Sequence, residues 1–243
     1  MGDPRKLAYL DALGVESYVP RGSRPVEAVA AEVAPVAIVT AATAEPPGLV
    51  SSLDWEALRT RVAACTLCEL HSTRTQTVFG VGNPRARWMF IGEAPGAEED
   101  RQGEPFVGRA GQLLTSMLKA LGFSRDDVFI ANVLKCRPPG NRTPVPVEVD
   151  ACRPYLWRQI ELLRPKVICT LGNFATKLLL DTKTGITKLR GHEYPWKDAE
   201  GNEVVLIPTL HPSAVLRSGG VSLAQSRADF VLVKRALQRV GGS

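Results

Sequence analysis

The sequence predicts an α/β fold: a three-layer α/β/α sandwich around a central, four-stranded, mostly parallel sheet. Three observations predict it. Four short apolar runs, at residues 87–91 (RWMFI), 128–131 (VFIA), 167–171 (VICTL) and 204–209 (VVLIPT), each lie beside a polar or glycine-rich turn. Segments of helical periodicity lie between them. The chain has 243 residues, 44% hydrophobic and 23% charged, enough for one large domain with a tail and too apolar for wholesale disorder. Strands alternating with helices of about 10–15 residues make βαβ units, whose parallel sheet is covered on both faces.

From the N-terminus, residues 4–14 place Leu7, Leu10 and Leu13 at three-residue spacing and end at Gly14, the pattern of a short amphipathic helix. Isolated helices of this length are marginal, so it is expected to dock on the body or on a protein partner. Residues 20–48 are rich in Ala, Val, Pro and Glu and read as a mostly disordered linker. The expected division is therefore an extension over residues 1–50 and a folded domain over 51–243. Residues 53–64 read as a helix. Residues 111–121 put Leu113, Leu114, Met117, Leu118 and Leu121 on one helical face. Further helices are expected at 155–163, 175–180 and 223–240.

Charge and cysteine usage narrow the class. The net charge is +5. Residues 1–50 hold four basic and six acidic side chains, leaving 26 basic and 19 acidic on the remainder. A basic surplus on a folded body favours a polyanion, nucleic acid first. No run of 18 apolar residues exists, and the longest apolar stretch, 28–43, is broken by Glu32 and Pro35, so no membrane span is expected. Five cysteines is an odd number without a secretion signal, which favours metal binding or catalysis in a cytosolic chain over a disulfide scaffold.

In open parallel sheets the site lies outside the carboxyl ends of the strands. That rule selects Gly92-Glu93-Ala94-Pro95-Gly96, then Asn132, then Gly172 and Asn173, then His211-Pro212-Ser213. A nucleophile elbow, a phosphate-binding P-loop and a dinucleotide fingerprint are all missing from the sequence. Nucleotide hydrolysis and dinucleotide chemistry are therefore disfavoured. Cys65 and Cys68 form a C-x2-C pair, and Cys136 and Cys152 follow with 15 residues between them. Four thiolates suit either zinc or a [4Fe–4S] cluster. Spacing leaves both open, along with two unrelated pairs. Cys169, inside an apolar run, reads as a core residue.

Taken in order, GEAPG at 92–96, PFVGRAG at 105–111, NVLKCRPP at 132–139 and HPS at 211–213 resemble the family-four, iron–sulfur uracil-DNA glycosylases. The resemblance covers about residues 55–240 and includes all four paired cysteines. It implies a uracil-DNA glycosylase fold, a [4Fe–4S] cluster on Cys65, Cys68, Cys136 and Cys152, and hydrolysis of the N-glycosidic bond of deoxyuridine in DNA to begin base excision repair. It further implies a soluble, monomeric enzyme of the bacterial cytoplasm.

On that resemblance Phe106 is the face on which uracil stacks. Asn132 reads the base, donating to O4 and accepting from N3–H, a pattern that cytosine reverses. His211 donates to O2, where negative charge develops on the leaving base. Ala94 and Gly96 let the base approach the main chain. Family-one enzymes resemble the first motif as Gly-Gln-Asp-Pro-Tyr, so Ala94 stands where they keep an aspartate and Gly96 where they keep a tyrosine. This implies a largely dissociative reaction, with Glu93 or backbone carbonyls positioning the water. The acidic run Glu98, Glu99, Asp100 is expected to be solvated, or to line the C5 side of the base. Ser213 is expected on a phosphate, and Leu216 or Arg217 as the wedge that fills the gap left by the flipped nucleotide. Lys135, Arg137, Arg142 and Arg153 are expected to form a basic DNA-binding surface around the cysteines. His71 and His192 read as surface or structural residues. Two other classes compete. One is a covalent-trapping relative, disfavoured because 138–149 holds no histidine. The other is a non-catalytic DNA-binding module on the same fold, disfavoured because Phe106, Asn132 and His211 are all present.

Overall fold

The computed structural model describes residues 50–240. The helix expected over 4–14 and the linker over 20–48 lie outside them. Within them the chain runs through α1 (Trp55–Ala63), α2 (Leu70–Thr73), β1 (Val81–Gly82), β2 (Trp88–Gly92), α3 (Ala97–Gln102), α4 (Arg109–Ala120), β3 (Phe129–Asn132), α5 (Pro146–Leu163) and β4 (Val167–Leu171). It continues through α6 (Asn173–Leu180), α7 (Ile186–Leu189), β5 (Tyr194–Lys197), β6 (Glu203–Thr209), α8 (Pro212–Ser218) and α9 (Gly220–Arg239).

The sheet has six strands in the order β1-β3-β2-β4-β6-β5. The four expected strands form its parallel centre. The strands at its two edges, β1 and β5, run antiparallel to their neighbours and were not anticipated. Both are hard to see in sequence. β1 has two residues, and β5 carries Pro195 and is only half buried. Proline is tolerated at a sheet edge because no neighbour needs its N–H. Pro208 in β6 obeys the same logic, since pairing with β5 ends at Leu206.

Alternation along the central strands sorts the core into two layers. Met89 and Ile91 of β2 face a cluster with Leu58, Tyr155, Leu156, Ile160 and Leu179, under α1, α5 and α6. Trp88 and Phe90 face Leu114, Leu118, Phe230 and Val233, under α4 and α9. Cys169 lies fully buried in the second layer, as expected. Helix starts are fixed locally. Asp54 Oδ1 accepts from the Ala57 N–H at 2.9 Å to cap α1, and Glu148 Oε2 accepts from the Val145 N–H at 3.0 Å at the start of α5. The expected helix at 155–163 is longer, beginning at Pro146, because proline suits the first turn and its charged, unpatterned opening hides the period.

One buried ion pair ties the carboxyl end of β6 to its surroundings. Asp229 of α9 is 1% exposed and accepts from Thr209 Oγ1 at 2.7 Å. The Arg190 guanidinium grips the same carboxylate through Nε at 3.0 Å and a terminal nitrogen at 2.6 Å. Removing one partner of such a pair leaves an uncompensated buried charge. Arg190→Ala is therefore expected to cost about 3 kcal/mol or more, read as a lowered denaturant midpoint.

Candidate active site

A pocket of about 540 Å³ opens at the carboxyl ends of the parallel strands. Glu93, Ala94 and Gly96 reach it from the loop after β2, Phe106 from the loop before α4, and Asn132 from the end of β3. His211 and Ser213 enter after β6, and Arg217 from α8. All the base-contacting residues expected from sequence thus meet at one place. Leu216 does not line the pocket; it projects from α8 with 43% of its surface exposed.

Asn132 is paired in register with Gly92 of β2 and is 2% exposed. Its Oδ1 is buried and has no hydrogen-bond partner. A buried acceptor left unpaired is costly, and marks a place where a donor is expected to arrive. Gly92 makes the arrangement possible. A Cβ there would lie 2.3 Å from Asn132 Oδ1 and 2.6 Å from Phe106 Cζ. The carboxamide and the ring therefore meet over a backbone that has no side chain.

Phe106 has φ +55°, the left-handed region that a bulky residue rarely enters. Three contacts hold it there. Arg125 donates to Phe106 O at 3.1 Å and Pro105 O at 2.7 Å. Glu99 Oε1 accepts from the N–H groups of Val107 at 2.9 Å and Gly108 at 3.0 Å. Gly111 lets the turn close, since a Cβ there would sit 1.7 Å from Phe106 O. The expected solvated acidic run therefore divides into three fates. Glu98 is exposed beside Arg101, Glu99 organises the Phe106 loop, and Asp100 is 4% exposed with both oxygens accepting from the Thr75 N–H. Sequence could not separate them, because three consecutive helical positions point in three directions.

His211 caps α8, and its Nδ1 accepts from the Ser213 N–H at 3.2 Å. A fixed backbone donor on Nδ1 puts the ring proton of the neutral form on Nε2. Ser213 Oγ, 2.7 Å from Nδ1, supports the same tautomer by donating. Burial, with the Arg217 charge adding to it, pulls the His211 pKa down to about 4, while Glu99 pulls the other way. The imidazole is therefore neutral at physiological pH and offers Nε2–H. Its ring tilts 33° to that of Phe106, with centroids 5.7 Å apart. Gly172, at φ +91°, gives it room, because a Cβ there would be 2.8 Å from His211 Cβ. The Ser213 N–H, expected on a phosphate, is thus already committed to the imidazole. Glu93 is half buried, and burial raises its carboxyl pKa.

Behind the pocket, Cys65, Cys68, Cys136 and Cys152 line one small cavity, together with Arg74, Lys135 and Tyr155. All four thiols are free. Burial raises the pKa of Cys68 and Cys136 and pushes that of Cys152 up to about 12. Arg74 donates to Cys136 Sγ at 3.1 Å, and the Lys135 N–H to Cys152 Sγ at 3.2 Å. Among the described residues no three His, Cys, Asp or Glu side chains close on a single metal ion. The expected basic surface is only partly there. Lys135 is 1% exposed, with its ammonium inside the protein. Arg142 is held by the buried Glu148 carboxylate at the pocket rim, and Arg153 is exposed beside Asp150. His71 and His192 are exposed, as expected.

The family profile described as the uracil DNA glycosylase superfamily matches residues 79–238. The chain belongs to that superfamily. Among curated superfamily members, it is 50% identical over 166 residues to a Type-4 uracil-DNA glycosylase of Sulfurisphaera tokodaii, covering 66% of this chain and 75% of that protein. It is 51% identical over 164 residues to one of Thermotoga maritima, covering 67% and 83%. A third, of Archaeoglobus fulgidus, is 50% identical over 159 residues, covering 64% and 79%. The superfamily match spans every strand-end motif of the pocket, whereas Cys65 and Cys68 precede it. The convergence on Gly92 gives the site a sharp test. Gly92→Ala is expected to lower turnover at least about 100-fold, the scale of losing one aligned catalytic contact. Near-UV circular dichroism should stay native in that variant.

Proposed function

We propose that this uracil-DNA glycosylase works through the residues gathered in the strand-end pocket, excising uracil from DNA by hydrolysis of the N-glycosidic bond. The observation that carries the reading is the pairing of an unpartnered acceptor with a neutral donor: buried Asn132 Oδ1, and His211 with its proton on Nε2. Uracil offers N3–H and O2 side by side. Its N3–H fits the carboxamide oxygen and its O2 fits Nε2–H. Cytosine has no hydrogen on N3, so it would leave Oδ1 facing another acceptor, which gives strong rejection.

An enzyme acting on a base inside a duplex must first flip it out. Phe106 then stacks on the flipped ring, and the main chain at 94–96 closes over its edge. The C1′–N1 bond breaks with its electron pair going to uracil, and the sugar becomes oxocarbenium-like. The charge spreads to O2, where a neutral imidazole donates a hydrogen bond that strengthens as charge develops. Water adds to C1′, held by the half-buried Glu93 carboxylate, which takes its proton. Ala94 contributes no carboxylate, so the reaction depends on stabilising the leaving anion more than on forcing the nucleophile. Leu216, exposed beside the pocket, is the wedge; Arg217 lines the rim and faces the backbone of the flipped nucleotide.

The four thiols suit a [4Fe–4S] cluster on the structure's own terms. The Tyr155 hydroxyl is buried in their cavity beside the Cys65 sulfur, with no nitrogen or oxygen partner, so a thiolate or sulfide there would accept from it. Arg74 and the Lys135 N–H already donate to two of the sulfurs. Such donors match the negative charge of a thiolate-bound cluster. Cys65 and Cys68 come from the α1–α2 turn, Cys136 follows β3 and Cys152 lies on α5. The cluster would therefore cross-link separate elements, and its chemical contribution would be structural. No described helix is long and apolar enough to cross a membrane.

A single-deoxyuridine oligonucleotide, treated with protein and then alkali, is expected to break at the uracil; an intact strand would eliminate the activity. His211→Asn is expected to slow excision about 100- to 1,000-fold. The wild-type rate should show no inflection near pH 6.5, because His211 stays neutral down to about pH 4. Purified protein should carry iron and absorb in the visible, and Cys136→Ser should lose that absorption. Zinc in place of iron would refute the cluster.

A further inference from the structure

Between the pocket and the cysteine cavity lies a charged side chain that the proposed chemistry does not use. Lys135 is fully buried, and its Nζ donates to the Asn132 carbonyl at 2.8 Å and to Gln159 Oε1 at 2.6 Å. Gln159 is fixed in turn, its Nε2 donating to Phe79 O at 2.8 Å. The main chain of the same lysine donates to Cys152 Sγ and accepts from the Val78 N–H at 2.7 Å. Lys135 follows Asn132 by three residues and directly precedes Cys136. A lysine is almost never buried without a demand on its charge. Here both of its neutral acceptors are interior, and one is the carbonyl of the residue that meets the base.

The demand comes from where Asn132 sits. It is the last residue of β3; past it the Val133 N–H still reaches Gly92 O in the parallel pattern, and the Leu134 N–H to Glu93 O is the first bond to depart from it. The Asn132 carbonyl belongs to the same peptide unit as the Val133 N–H and points the opposite way, past the end of the pairing with β1, so the ladder holds only one side of that unit. Rotation of that plane by a few degrees would swing Oδ1 away from the base, and angstrom-scale misplacement lowers rate steeply.

We infer that Lys135 is a positioning residue for base recognition: its ammonium locks the Asn132 peptide from beneath the pocket, with Gln159 as the fixed anchor, so that the carboxamide waits in the geometry uracil needs. This rests on the reading of Asn132 as the residue that meets N3–H. It also changes the role of Lys135 from the surface DNA contact expected from sequence to an internal brace. The same residue joins the reading side chain to the cysteine cavity, so order in one is transmitted to the other.

Lys135→Met keeps the length and apolar stem and removes the donor. Single-turnover excision of uracil is expected to fall about 10- to 100-fold, the scale of one charge-assisted hydrogen bond or two. Affinity for a duplex carrying a stable abasic-site analogue and visible absorption per chain should stay near wild type, while Tm falls by a few degrees because two buried acceptors lose their donor. In an Asn132→Ala background the same substitution should have little further effect, because its action runs through Asn132. An unchanged excision rate in Lys135→Met would overturn the inference. So would a full, undiminished loss in the Asn132→Ala background, or a loss of visible absorption and DNA affinity in step with rate, which marks mere structural damage. Should Lys135→Met fail to fold, Gln159→Met tests the brace from its other end with the same expected and overturning results. Wild-type turnover by Asn132→Ala alone would instead refute the role given to Asn132, and is read separately from the lysine's effect.

Discussion

The site depends on how closely the chain can approach itself at the carboxyl ends of the central strands. At Gly92 the Asn132 carboxamide and the Phe106 ring occupy the space where any other residue would carry its Cβ, and at Gly172 the His211 side chain does the same. A parallel sheet brings neighbouring strand ends together at about 5 Å, and side chains normally fill the gap. Deleting two of them leaves a concave floor, and three functional groups from distant parts of the chain can then face one planar ring. The pocket's shape follows from missing atoms as much as from present ones.

The walls are held by charge placed just outside. Phe106 sits in an unfavourable backbone region, and its loop would relax without the Arg125 guanidinium on two of its carbonyls and the Glu99 carboxylate on two of its N–H groups. His211 is positioned by a hydrogen bond that also selects its tautomer. Its neutrality comes from burial and from Arg217, so it presents to the pocket a donor without a charge of its own. A neutral donor strengthens its bond as the anion forms, whereas a cation would also bind the ground state and DNA phosphates nearby.

Beneath the floor the cysteine cavity and the base pocket share a wall. The segment from Asn132 to Cys136 supplies a pocket carboxamide at one end and a thiol at the other, with Lys135 buried between them. A cluster there would fix the α1–α2 turn, the β3 exit and α5 to one another, which is the frame on which that segment hangs. Structural cross-linking and catalytic precision thus act on the same few residues.

Much of this was legible in the sequence. The alternation of apolar runs and helical periods gave the layers and the four parallel strands, because strand and helix periodicities are local properties of the chain. The rule that sites form beyond strand ends picked Glu93, Asn132 and His211, which line one pocket, and the four spaced cysteines line one cavity. What only the tertiary structure decided was which side chains face which neighbours. Glu98, Glu99 and Asp100 are indistinguishable as a run of acids, yet one is solvated, one shapes the pocket loop and one is buried against Thr75. Lys135 looks like a surface cation and is buried, donating to Asn132 O and Gln159 Oε1. Gln159, Arg125 and Arg74 gave no signal, because Phe79, Phe106 and Cys136, which they respectively hold, lie 80, 19 and 62 residues away along the chain. Local pattern fixes the elements; burial and long-range hydrogen bonds, set only when those elements pack, assign the work of each polar side chain.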